Sequence, residues 1–234
     1  MKRSDKTLKK THHLKKESLS SIKKRASLIF DILVDKFPNA STALDHSNPF
    51  ELLVATILSA QCTDERINKV TPLLFKTYKT PSELATGNID DIKSLLKSVN
   101  FFNNKAINIK KMANQLLTNF NGEVPNNRDK LTSLAGVGRK TANVVLGQSF
   151  NIPGITVDTH VNRLSNRLGF TKNKDAVKAE MDLITIWEDS IWTEFSTVLI
   201  LHGRASCKAR KPLCDTCCIS KLCPSKNIVS PVSK

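Results

Sequence analysis

Five of the six cysteines fall between Cys207 and Cys223 of a 234-residue chain, where an even spread would leave about half a cysteine. The spacing is Cys207, six residues, Cys214, two residues, Cys217, five residues, Cys223, then Pro224. A secretory signal would need an apolar stretch behind the basic N-terminus, and none appears before Leu28. The expected compartment is therefore the cytoplasm, where disulfides are reduced and clustered thiolates are best held by metal. Zinc sites usually gather four ligands as two close pairs, whereas one close pair flanked by two looser cysteines suits a four-iron cubane. The residues alone leave both open. Cys218, directly after Cys217, is the spare. Four thiolates on a 2+ core leave net −2, which Arg204, Lys208, Arg210 and Lys211 can balance.

Charge points to a polyanionic partner. Lys and Arg number 36 against 21 Asp and Glu, giving +15 and a pI near 9.7. Residues 1–25 carry ten cationic side chains against Asp5 and Glu17 and are expected to form a disordered basic tail that attracts nucleic acid loosely. The rest of the chain is still basic. No apolar run approaches the roughly 18 to 20 residues that span a bilayer, so no membrane segment is expected.

Between tail and cysteines the periodicity is helical. Phe50, Leu53, Val54, Ile57 and Leu58 form one stripe, with Ser47 or Asn48 as cap and Pro49 in the first turn. Further stripes run through Ile67, Val70 and Leu74; Ile107, Met112 and Leu116; Ala176, Ala179 and Leu183; and Ile191, Phe195, Val198 and Leu199. No turn joins two alternating runs, so the fold class is all-α. No internal repeat or Gly/Ser linker is present.

Residues 131–150 read as helix, hairpin, helix. Asn126-Asn127 caps a short helix ending near Leu134, Gly136-Val137-Gly138 turns, and Ala142, Val145, Leu146 and Phe150 stripe a second helix. Two glycines allow a tight turn and close approach, and the unpaired N–H groups that open the second helix suit a phosphate without reading a base. Lys140 is either a phosphate contact or a nucleophile. An ordinary lysine amine near pKa 10.4 is only about 0.04% neutral at pH 7, so nucleophilicity requires surroundings that disfavour its charge, as a helix N-terminus and the adjacent Arg139 do. Asp158, where the helix striped by Val161, Leu164 and Leu168 begins, is either an N-cap or a partner for that amine. His160 and His202 read as packed or surface residues.

Taken together, Leu58-Ser59-Ala60-Gln61-Cys62-Thr63-Asp64, Gly136 to Ala142, Val157-Asp158-Thr159-His160, Leu201-His202-Gly203-Arg204 and the cysteine spacing resemble the endonuclease III family of DNA glycosylases, from about Ser27 to Pro224. The resemblance implies a helix-hairpin-helix glycosylase fold: a six-helix module at 42–152, with the hairpin at about 127–150, and an iron-sulfur cluster domain from 26–41 and 153–226. Tails occupy 1–25 and 227–234, and the active site lies between the domains. It makes Lys140 the Schiff-base nucleophile assisted by Asp158, and Cys207, Cys214, Cys217 and Cys223 the ligands of a [4Fe-4S] cluster. It places DNA contacts on Gly136, Val137, Gly138, Arg139 and Thr141, Gln61 as the residue filling the gap left by an extruded nucleotide, and Phe101 where a leucine wedge usually stands. Ala135 replaces the family's usual proline. The implied activity is removal of oxidised pyrimidines from double-stranded DNA with β-elimination at the abasic site, by a monomer that in a bacterium would be nucleoid-associated. An adenine-mismatch glycosylase, which would usually lack the lysine, and a noncatalytic DNA-binding iron-sulfur protein are the alternatives.

Overall fold

The computed structural model describes residues 17–226, which contain helices and no strand. α1 (Leu19–Lys36) is followed by α2 (Pro49–Ser59), α3 (Asp64–Thr77), α4 (Pro81–Thr86), α5 (Ile89–Leu95), α6 (Phe102–Phe120), α7 (Arg128–Thr132), α8 (Arg139–Phe150), α9 (Thr159–Arg167), α10 (Ala176–Ile184) and α11 (Trp192–Ala205). Among the described residues no helix is long and apolar enough to cross a membrane.

Two hydrophobic cores organise these helices. In the first, α2 runs through the centre with eight of its eleven residues buried, packed against α6 and α8, while α4 and α5 lean on α6. Asn48 caps α2 by accepting from Glu51 N at 2.9 Å, and Pro49 takes the first-turn position where its missing N–H costs nothing. The second core joins Ala26, Ile29 and Leu33 of α1 to Leu164, Leu183 and Phe195 of the C-terminal helices. Trp187 sits in its aromatic centre, 4.5 Å from Phe195 and 6.0 Å from Phe170 between ring centroids.

Two readings of the sequence need correction. Residues 19–25, assigned to the tail, are the first turns of α1. Ser18 caps that helix by accepting from Ser21 N. Glu17 pairs with Arg25 at 2.6 Å, and Arg25 also donates to Leu168 O at 2.7 Å and stacks 5.5 Å over Phe170. The charge count concealed a cation turned inward; residues 1–16, and the tail at 227–234, lie outside the described residues. In α6, Ile107 is exposed, and the buried stripe is Lys105, Ala106, Ile109, Met112, Ala113 and Leu116. A step of five residues, from 107 to 112, turns well past one helical face.

If α1 belongs to the second core, Leu33→Ala, at a site with no exposed surface, should lower unfolding stability by about 2–5 kcal/mol, whereas Leu28→Ala, 54% exposed, should change it by less than about 0.5 kcal/mol. Urea unfolding of both variants, followed by circular dichroism, checks this.

Candidate active site

The cores meet along a cleft. Lys140 and Asp158 both line its cavity of about 110 Å³, together with Ser59, Asp64, Thr156 and Arg204. They also share a shallower neighbouring depression with Asn162 and Lys174. Lys140 stands in the first turn of α8, exposed. Asp158 is the N-cap of α9: its Oδ1 accepts from Val161 N at 2.8 Å, and Oδ2 has no hydrogen bond among the described residues. The carboxylate therefore caps a helix and still presents an oxygen.

The hairpin departs in part from expectation. Gly136 adopts φ +77°, and a Cβ there would come within 3.1 Å of Asn108 Cβ and 3.2 Å of Ile57 Cγ2, so glycine is required twice over. Gly138, the residue before α8, would meet nothing within 4 Å. Among the described residues no side chain caps α8, so its first N–H groups face outward past a residue with no side chain, an open approach for an anion. Val137, expected on the DNA side, has its side chain in the first core and donates its N–H to Leu134 O at 3.2 Å. Arg139, also expected there, turns to Glu180 of α10: Nε and Nη2 donate to its two carboxylate oxygens at 2.7 and 2.9 Å. Its Nη1 group and the second Nη2 hydrogen remain for another partner. A bidentate bond to a buried carboxylate outweighs an exposed phosphate contact, because without it Glu180 would keep only long contacts, to Arg128 at 3.6 Å and Asn143 at 3.4 Å. Thr141 is half-buried in the same turn.

Glu180 escaped the sequence reading, although it left a signal. It occupies the same face of α10 as Ala176, Ala179 and Leu183, a charge in an apolar stripe, and is 5% exposed. Asn143 Nδ2 lies 3.4 Å from it and Arg128 Nη1 3.6 Å. A second ion pair, Arg204 to Asp64 at 2.7 Å, spans the cleft between α11 and the start of α3.

Just beyond the C-terminus of α2 and at the start of α6, Gln61 and Phe101 are both exposed and both in the left-handed region, at φ +55° and +58°. Their loops adjoin: Asn100 Nδ2 donates to Gln61 O at 2.7 Å. Side chains forced into this region carry strain that concentrates at functional surfaces.

Cys207, Cys214, Cys217 and Cys223 line one cavity beyond α9 and α11, whereas Cys218 is exposed and Cys62 packs against the first core. Sulfurs on one zinc ion lie within about 4 Å of one another, and among the described residues no set of three ligating side chains converges for a single ion. The donor chemistry nonetheless suits metal-bound thiolates. Arg167 Nη1 donates to Cys207 Sγ at 3.2 Å, and His202 Nε2 lies 3.5 Å from Cys217 Sγ. Burial pulls the His202 pKa down to about 4, so the ring is neutral, and its Nδ1 has no hydrogen-bond partner among the described residues. The Nε2–H tautomer can donate to the sulfur. Burial pushes the Cys217 and Cys223 thiols up, so as thiolates they need a compensating cation.

Residues 54–189 match the HhH-GPD superfamily base excision DNA repair protein family. The chain is 51% identical to endonuclease III of Synechocystis over 208 residues, covering 88% of this chain and 95% of that one. It is 43% identical to endonuclease III of Escherichia coli over 192 residues, 82% and 91% of the two chains. Among solved structures, a non-covalent endonuclease III–DNA complex and a trapped endonuclease III–DNA covalent intermediate each align with TM-score 0.84 at 42% identity, covering 88% of this chain and 97% of theirs. The chain therefore belongs to the endonuclease III family, within the HhH-GPD superfamily of base excision DNA repair proteins.

Proposed function

We propose that this chain excises oxidised pyrimidines from duplex DNA through a Schiff base at Lys140 and then cleaves the abasic strand by β-elimination. The observation that carries this reading is the placement of Lys140 and Asp158, from the starts of two helices in different cores, on one cleft beside the open α8 N-terminus. The trapped covalent DNA intermediate of the related endonuclease III supports it. The division into a module at 42–152 and a second unit from 26–41 and 153–226, extended back to the start of α1 at Leu19, is supported by the two cores, and the enzyme acts as a monomer in the cytoplasm.

The first N–H groups of α8, reached past Gly138, hold a backbone phosphate without selecting a sequence. An oxidised base pairs and stacks less well, so turning it out of the helix costs less, which supplies part of the selectivity. Gln61 and Phe101 enter the vacated space. The neutral Lys140 amine attacks C1′, the C1′–N bond breaks, and the base leaves with its electron pair and gains a proton. Asp158, through the Oδ2 that capping leaves unused, receives a proton from the amine or steadies the cationic sugar. The C1′–O4′ bond then opens, O4′ taking a proton, and the protonated imine so formed between C1′ and Lys140 acidifies C2′; loss of that proton expels the 3′ phosphate, and water then releases the sugar from Lys140.

Cys207, Cys214, Cys217 and Cys223 would hold a [4Fe-4S] cluster, which when bound supplies a four-point anchor for the loop carrying Lys208, Arg210 and Lys211. Purified protein should be yellow-brown with about four iron per chain. Serine at any of the four should bleach or precipitate it, while Cys62→Ser and Cys218→Ser stay coloured. Iron analysis and visible absorbance check this, and active protein lacking iron would overturn it.

Lys140→Gln should bind lesion duplex within about threefold of wild type, since the backbone donors remain, yet yield neither a borohydride-trapped adduct nor strand cleavage. Asp158→Asn should keep the capping bond and slow single-turnover cleavage by about 10²–10⁴-fold. Trapping on duplexes carrying thymine glycol or an abasic site measures both. A wild-type chain that binds but forms no adduct would instead be a noncatalytic DNA-binding protein.

A further inference from the structure

The loops bearing Gln61 and Phe101 come from distant parts of the sequence but are stitched together at three points. Lys105, one turn into α6, is 6% exposed, and its ammonium donates to Leu58 O at 2.8 Å and Ala60 O at 2.6 Å, the carbonyls that end α2. Asn100 Nδ2 donates to Gln61 O at 2.7 Å, and Arg66 Nη1 to Ser98 O at 3.0 Å. Burial lowers the Lys105 pKa, against the pull of nearby Cys62. A cation facing two helix-terminal carbonyls satisfies groups that α2 leaves without another cap, and it suits the negative end of that helix. The next residues on each side, Gln61 and Phe101, are held in left-handed backbone that neither residue type favours. Phe101 is 63% exposed all the same. A large apolar side chain kept strained and outward, with its loop tied down behind it, is suited to a partner that receives it.

We propose that Asn100 and Lys105 are positioning residues for base extrusion: they join the two loops so that Gln61 and Phe101 meet the duplex as one preformed wedge. This rests on the glycosylase reading above and deepens it. Extrusion requires the gap in the stack to be filled as the nucleotide leaves, and two independently mobile loops would lose conformational freedom at that moment. Prior ordering removes that loss. The benefit falls on the step that unstacks a base, and an abasic sugar, which has no base to unstack, needs it least.

The test compares single-turnover base release from a thymine glycol duplex with strand cleavage of the same duplex carrying an abasic site, at saturating enzyme. Asn100→Ala, at an exposed position that leaves both cores intact, should slow base release about tenfold, the worth of one hydrogen bond, and leave abasic cleavage within about twofold. Fluorescence of 2-aminopurine beside the lesion should rise correspondingly more slowly on mixing. Lys105→Met should show the same asymmetry more strongly, and Lys105→Arg should recover part of it. If Lys105→Met does not fold, Asn100→Ala decides the matter alone. Equal slowing on both substrates, or none on either, would overturn the positioning role while leaving the glycosylase reading in place. A wild-type chain inert on both substrates would overturn both.

Discussion

The carboxylate of Glu180, buried between the cores, is the constraint on which the site depends. It lies in α10, which belongs to one core, and takes two hydrogen bonds from Arg139 at the start of α8, which belongs to the other. Glu180 is buried while the Arg139 side chain stays 35% exposed, so the attraction is set mainly against the cost of taking the carboxylate out of water; without Arg139 that carboxylate would keep only Arg128, at 3.6 Å. What the pair provides is a fixed rotation for the first turn of α8. Lys140 follows Arg139 directly, so the helix that presents the amine is set by a bond made through its neighbour.

α9 has the corresponding place on the other wall. Asp158 caps its N-terminus, while Arg163 and Arg167, one and two turns further on, reach the cysteine loop: Arg163 donates to Cys207 O from Nε at 3.2 Å and Nη2 at 3.0 Å, and Arg167 to Lys208 O and Ala209 O at 2.8 Å each. At 1.5 Å per residue the helix is only about 13 Å long. The cysteine loop and the carboxylate thus share one short rigid support. The ion pair between Arg204 and Asp64 closes the same cleft from a third direction.

Much of the architecture was legible because it is local. The Asn48 cap with Pro49, the Asn127 cap, the tight turn at Gly136 and the Asp158 cap are all written within a few residues of where they act. Long-range pairings were not. Arg139 looked like a phosphate ligand because its partner lies forty-one residues away, and Arg25 looked like part of a tail because Leu168 O is 143 residues away. The charges that tie elements together left one trace, a cation or anion within an apolar stripe, at Lys105 in α6 and Glu180 in α10. Periodicity alone reads such a residue as an interruption; the structure shows it to be a joint. That Lys140 and Asp158 border one cavity depends on how two cores pack; spacing alone did not encode it, and the expectation came from the family resemblance.

The second core is assembled from both ends of the chain, and this imposes an order on its synthesis. α1 leaves the ribosome first, with Ala26, Ile29 and Leu33 facing nothing, and its partners in α11 follow roughly 170 residues later, about 10 to 30 s at 5–20 residues per second. The first core, drawn from residues 44–146, is complete well before then. The nascent protein therefore passes through a stage in which one globule has folded and a basic amphipathic helix trails free beside it, with the cysteine loop still to be made. During that interval the apolar face of α1 stays uncovered, a surface open to the wrong partner until α11 arrives.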